Sequence, residues 1–307
     1  MKISIIGGGG RVGSDAAYAL QMSNVAHEMV LVDANPDAAS GEALDMLHGT
    51  SAIGNQKIIG GGYDEITGSD TVVITAGLRR KPDESRLDLI SRNVALFRQI
   101  LNDLKHVKLA PEATILVVSN PVDILTCLAV ETGMLPPQQI IGLGTVLDTT
   151  RFRSLIGYHF EINPNDVQAL ILGEHGDSMV PIWSTASING IPIESFKAFN
   201  TKKTEEIFEQ TKKAGAEGIR LQGGAGRAVG VSIRTVIEAI KNNSRALLPI
   251  SSHHQGALGI HDVCLSLPTL VGRKGALQVI EPKIHSSEKE ALLKSAESLK
   301  SVLKQVQ

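Results

Sequence analysis

Apolar positions in the first half of the chain gather into five short runs, at residues 3–6, 29–32, 71–75, 115–118 and 140–142. The runs are strand-length and scarcely alternate with polar residues, the pattern of strands covered on both faces of a parallel sheet. Between them lie stretches with helical spacing, at 12–22, 39–48, 91–104 and 123–131. A parallel pair of strands needs a crossover, usually a helix, so the alternation predicts an α/β fold with a doubly wound parallel sheet.

Beyond residue 145 the pattern changes. A helix at 148–156 leads into β runs at 167–172 and 179–183. Two long helices at 204–221 and 225–242 are separated by Gly223-Gly224, and strand-like segments at 246–251 and 263–268 precede a closing amphipathic helix at 287–306. This predicts a mixed α+β second domain, with residues 1–145 as the first unit and 146–307 as the second. A length of 307 residues fits two such units.

Composition narrows the function classes. A net charge of −2 supplies no basic field, and 3% aromatic residues supply no stacking platform, so a nucleic-acid partner is not expected. No apolar run reaches membrane-spanning length, and the first strand begins at once with no signal-peptide pattern. Cys127 and Cys264 are too few for a disulfide framework. These features together predict a cytoplasmic protein with no membrane partner.

Two groups of residues carry chemistry. The first is Gly7-Gly8-Gly9-Gly10-Arg11-Val12-Gly13, which follows the first strand and opens a helix. Gly8, Gly10 and Gly13 form G-x-G-x-x-G, where glycines allow a tight turn and close approach of a pyrophosphate to the helix N-terminus. Asp33 ends the second strand twenty residues after Gly13, where a carboxylate accepts from an adenosine ribose and repels a 2′-phosphate. NAD is therefore expected over NADP. The bland reading of Asp33 is a turn or helix-cap aspartate.

The second group centres on His175, set between glycines just past the 167–172 run, as a general acid/base would be mounted. Asp148 and Arg151 are three apart on a helix and share a face. They read either as an ordinary ion pair or as an orienting carboxylate for His175 and a fork for a substrate carboxylate. Asn120 lies at the carboxyl end of the 115–118 run, where such sheets bind ligands, or is simply an Asn-Pro turn residue. Arg80 and Arg86 lie in a proline-bearing loop after the 71–75 run, and an isolated pair of arginines there reads as solvated surface. His253-His254 has no partner at metal-ligand spacing, so no metal is expected.

The segments IGGGGRVG, LVDANPDAASGEALDMLHG, TAGLRRKPDESRLDL, VVSNPVD, GLGTVLDTTRFR and LGEHGDSMVPIWS together resemble the lactate/malate dehydrogenase superfamily over nearly the whole chain. The resemblance implies a Rossmann sheet followed by a substrate domain, and a homodimer or homotetramer. It implies that His175 exchanges a proton, that Asp148 is its partner, and that Arg151 anchors the C1 carboxylate. Arg86 is implied to polarise the carbonyl as the loop closes, Asn120 to touch substrate, and Asn93 and Val118 to touch NAD. Malate-type members carry arginine before Lys-Pro, as Arg80 stands here, whereas lactate-type members usually carry glutamine. A desolvated Arg80 with no second carboxylate would cost roughly 3–5 kcal/mol. On that ground the expected activity is NAD-dependent malate dehydrogenase, interconverting malate and oxaloacetate in the tricarboxylic acid cycle, of an archaeal-type subset by its longer glycine loop. The segment 224–229 departs from the family pattern, and no contact is assigned to it. Lactate or another 2-hydroxy acid is the alternative substrate, and a non-catalytic NAD-binding protein is the alternative class.

Overall fold

A computed structural model of the chain describes residues 1–79 and 83–306, and only the backbone of Arg86. In chain order the first half forms β1 (Lys2–Ile6), α1 (Arg11–Met22), β2 (Glu28–Val32), α2 (Pro36–Gly49), β3 (Lys57–Gly61), β4 (Thr71–Ile74), α3 (Arg86–Leu104), β5 (Thr114–Val117), α4 (Val122–Glu131) and β6 (Ile140–Gly142). The second half forms α5 (Val146–Phe160), β7 (Val167–Leu172), β8 (Val180–Ile188), β9 (Ile191–Pro192), α6 (Thr201–Gln222) and α7 (Arg227–Asn242). It ends with β10 (Ala246–Leu248), β11 (Ser251–Gln255), β12 (His261–Ser266), β13 (Thr269–Gly272), β14 (Gly275–Val279) and α8 (Ser286–Val306).

The first six strands lie in the order β3-β2-β1-β4-β5-β6, all parallel. The expected doubly wound sheet is therefore present. Strands β11 and β12, from the second half, extend it antiparallel beyond β6. The order reverses between β1 and β4, so the loops after these two strands flank the crevice where such sheets take ligands. Phe97, Leu101 and Leu104 of α3 and Ile124 and Leu128 of α4 pack on one face of the sheet. Ala16 and Leu20 of α1 and Ile233, Val236 and Ile237 of α7 pack on the other. A third cluster joins Phe152 and Ile156 of α5 to Ile171 of β7 and Ile188 of β8.

Several strands departed from the sequence pattern for identifiable reasons. In β3 a Cβ on Gly60 would lie 2.7 Å from the Cα of Ser40, so α2 can pack on this strand only where it has no side chain. The same glycine dilutes the apolar signal. The run expected at 246–251 is two strands in two sheets, because Pro249 between them has no N–H to continue a ladder. Strands β13 and β14 form a hairpin whose turn uses Gly275 at φ +81°, and β13 pairs with β10 rather than with the main sheet.

No helix among the described residues is long and apolar enough to cross a membrane. Phe97 is fully buried between α3 and the sheet. Phe97→Ala should lower unfolding free energy by about 3–5 kcal/mol in chemical denaturation at fixed protein concentration, and a loss under about 1 kcal/mol would contradict this packing.

Candidate active site

The glycine loop brings α1 down on the start of the sheet. Gly7 holds φ +90° with Thr75 and Ala76 directly against it, and a Cβ on Gly13 would lie 2.1 Å from the Gly7 carbonyl oxygen. The N-cap Gly10 offers no capping side chain, and the first turn of α1 holds no acidic residue. The positive helix end is left for an anion. Asp33 is half-buried beside this loop, and its carboxylate accepts from the N–H of Gly9 at 3.1 Å and of Asn35 at 3.1 Å. It is thus a turn residue as well, while the cap of α2 is Asn35, which accepts from Ala38. Gly7, Gly8, Gly9 and Gly13, which leave no room for a Cβ, a bare helix end and a braced carboxylate fit a dinucleotide.

Asn93 is buried in α3, and its side chain is engaged by the chain itself. Oδ1 accepts the Leu78 N–H at 2.7 Å, and Nδ2 donates to the Leu89 carbonyl at 3.2 Å. It fixes the exit of the loop after β4. The far end is fixed by Ser85, which caps α3, and by an ion pair of 2.5 Å between Arg92 and Glu84. Arg80 lies outside the described residues, as does the side chain of Arg86. Val118 is half-buried and Asn120 exposed, both just past β5.

Helix α5 and strand β7 are laced by hydroxyls. The Thr145 hydroxyl donates to the Ile171 carbonyl at 2.5 Å, and the Ile171 N–H donates to the Thr149 hydroxyl at 3.0 Å. This register sets Asp148, in the first turn of α5, beside the loop that leaves β7. Gly173, at φ +85°, turns that loop and pairs through its backbone with Ser266 of β12. Three further contacts hold it. The Glu174 N–H donates to Ser295 of α8 at 2.9 Å, the Ser178 hydroxyl donates to the Glu174 carboxylate, and the His175 N–H donates to the Asp123 carboxylate at 2.8 Å.

Nδ1 of His175 then lies 2.5 Å from one oxygen of Asp148, and Arg151 lies 3.1 Å from the other. The sequence-predicted trio is therefore brought together. The Asp148 side chain is 1% exposed and that of His175 20%. Burial by itself would raise the Asp148 pKa, but the charge and hydrogen bond of His175, with Arg151 behind them, hold it below the usual carboxylate value. Burial likewise opposes protonation of His175, yet Asp148 outweighs it by charge and hydrogen bond, with help from Asp123, and raises the imidazole pKa. With Nδ1 directed at Asp148, Nε2 is the atom left to exchange a proton. Arg151 keeps guanidinium donors beyond the one turned to Asp148.

Sequence reasoning missed Asp123, Ser251 and Ser295. Asp123 was legible only as a charge inside the apolar stretch of α4, where its neighbours are buried. His254 is buried, its Nε2–H donates to the Leu265 carbonyl at 3.0 Å, and burial pushes its pKa down to about 4. Among the described residues no three His, Cys, Asp or Glu side chains converge as a metal site would require.

Residues 1–142 match the family model for the lactate/malate dehydrogenase NAD binding domain, and residues 145–307 match that for the lactate/malate dehydrogenase alpha/beta C-terminal domain. The L-lactate dehydrogenase of Thermoanaerobacter pseudethanolicus is 41% identical over 310 residues, 99% of each chain. That of Acetivibrio thermocellus is 39% identical over 308 residues, 99% of this chain and 96% of its own. The crystal structure of minor L-lactate dehydrogenase from Enterococcus mundtii superposes with a TM-score of 0.96 at 36% identity, covering 100% of this chain and 98% of that one.

These relatives support NAD as cofactor and overturn the expectation of a malate dehydrogenase in the tricarboxylic acid cycle. That expectation hung on one guanidinium, Arg80. Whether a guanidinium demands an anion depends on its desolvation, which position in a loop does not set. Substrate choice is a difference in transition-state binding over the whole pocket.

Asp148→Asn removes the charge that favours imidazolium. The His175 pKa, followed by NMR titration, should fall by about one unit or more. An unchanged titration would mean that the 2.5 Å contact does not govern the imidazole.

Proposed function

We propose, from the premise that the chain belongs to the lactate/malate dehydrogenase family, that it is an NAD-dependent L-lactate dehydrogenase interconverting lactate and pyruvate. The observation that carries this reading is the His175–Asp148–Arg151 cluster, set on a chain whose full-length relatives at about 40% identity are L-lactate dehydrogenases. When bound, NAD supplies the acceptor or donor of a hydride. Gly8, Gly10 and Gly13 would hold its pyrophosphate against α1, and Asp33 its adenosine ribose. Val118, just past β5, and Asn93, on α3, are further candidate contacts.

The chain's own residues account for the proton and the carboxylate. Nε2 of His175 protonates the carbonyl oxygen of pyruvate, or takes the hydroxyl proton of lactate in reverse. Asp148 stabilises the imidazolium and fixes the ring. The free donors of Arg151 fork onto the C1 carboxylate, which sets the substrate in register with Nε2. Asn120 and Arg86 are assigned to the C2 oxygen, where added donors stabilise developing negative charge. A homo-oligomer suits this reading, since Tyr18 and Met22 on α1 and Leu44 and Leu47 on α2 expose apolar pairs at helical spacing.

Steady-state kinetics with NADH should give a kcat/KM for pyruvate at least about tenfold above that for oxaloacetate, or about 1.4 kcal/mol of transition-state preference. Equal values, or a preference for oxaloacetate, would sink the lactate reading. NADH should outperform NADPH, and Asp33→Ala should narrow that gap by about tenfold by removing the carboxylate that repels a 2′-phosphate. An unchanged cofactor ratio would remove Asp33 from cofactor selection.

A further inference from the structure

Asp123 is a carboxylate buried to 2% exposure that the proton-transfer chemistry does not use. It sits in the first turn of α4, three residues past Asn120. Its two oxygens are each engaged by a different part of the chain. One accepts the His175 backbone N–H at 2.8 Å, and the other accepts the Ser251 hydroxyl of β11 at 2.6 Å. The main sheet thereby grips the acid/base loop through that loop's own backbone.

We propose that Asp123 is a positioning residue for His175, fixing the loop by this hydrogen bond and favouring the imidazolium by its negative charge. The proposal rests on the dehydrogenase reading above. Neutral polar side chains such as asparagine or serine would restrain the loop equally well, so a buried charge at this point has an electrostatic consequence that hydrogen bonding alone does not explain. Its other titratable neighbours among the described residues are Glu174 on the same loop and Cys264 on β12, with Cys127 on α4 beside Cys264. Asp148 and Arg151 face the imidazole from α5. Burial pushes Asp123 up to about 6, while the hydrogen bonds donated by Ser251 and the His175 N–H favour its carboxylate form.

Asp123→Asn separates charge from position. The amide oxygen can still accept the His175 N–H, and the amide nitrogen can donate to Ser251. NMR titration of the substrate-free protein, with His175 assigned by the loss of its signal in His175→Gln, should show the His175 pKa lowered by about half a unit or more. The alkaline limb of the pH profile of kcat/KM for pyruvate should move down with it. A smaller pKa shift overturns the electrostatic role. Asp123→Ala should lower kcat a further tenfold or so relative to Asp123→Asn, with pyruvate KM changed less than about threefold. Equal kcat in the two variants overturns the positioning role. Should Asp123→Ala not fold, Ser251→Ala, which frees one side of the carboxylate, is read in its place. Failure of the wild type to turn over pyruvate would refute the lactate reading, while the titration still reports on Asp123.

Discussion

Asp148 is shut off from water, and a carboxylate there is tolerable only because two donors meet it, one on each oxygen. Leaving such a charge unpaired costs several kcal/mol, comparable with the whole stability of many domains. Arg151 comes from the same helix and arrives with it. His175 comes from a loop 27 residues away in sequence, and reaches Asp148 only if α5 lies on β7 in one register. The hydroxyls of Thr145 and Thr149 on Ile171 fix that register, and the charge makes any slip expensive.

The same loop is then immobilised from several sides. Ser295 of the last helix holds Glu174, Ser266 of the main sheet holds Gly173, and Asp123 holds His175 itself. A group that must exchange a proton with a substrate a fraction of an ångström out of place loses rate steeply. These anchors come from α4, β12 and α8, so the acid/base group is referenced to the main sheet as well as to the second half. The glycine loop is referenced to that sheet too, at β1 and β4. The shared sheet is what relates the glycine loop to His175.

Much of this was legible before any coordinates. Apolar runs separated by helical stretches are a direct consequence of a sheet covered on both faces, and the six parallel strands included five that the runs announced. His175, Asp148 and Arg151 were legible because glycines, a strand end and helical spacing constrain them locally. Strand β3 was not, because close packing of α2 required the glycine that blurred it. Asp123 and Ser251 were not, because each looks ordinary until a chain segment more than a hundred residues distant closes on it. The substrate was misread for a different reason. One charge on a loop was given the deciding weight, whereas the L-lactate dehydrogenases resemble the chain over nearly its whole length.

Local physics therefore determined the alternation of strands and helices and the glycine loop of the dinucleotide cradle, and it marked His175, Asp148 and Arg151 as candidates. Backbone sterics and hydrophobic periodicity act over a few residues and are written into any short window of sequence. Tertiary structure alone decided which hydroxyls and carboxylates meet across the sheet, and hence the proton affinity of His175. Electrostatic interaction depends on distance in space and on exclusion of water, and neither is carried by position along a chain.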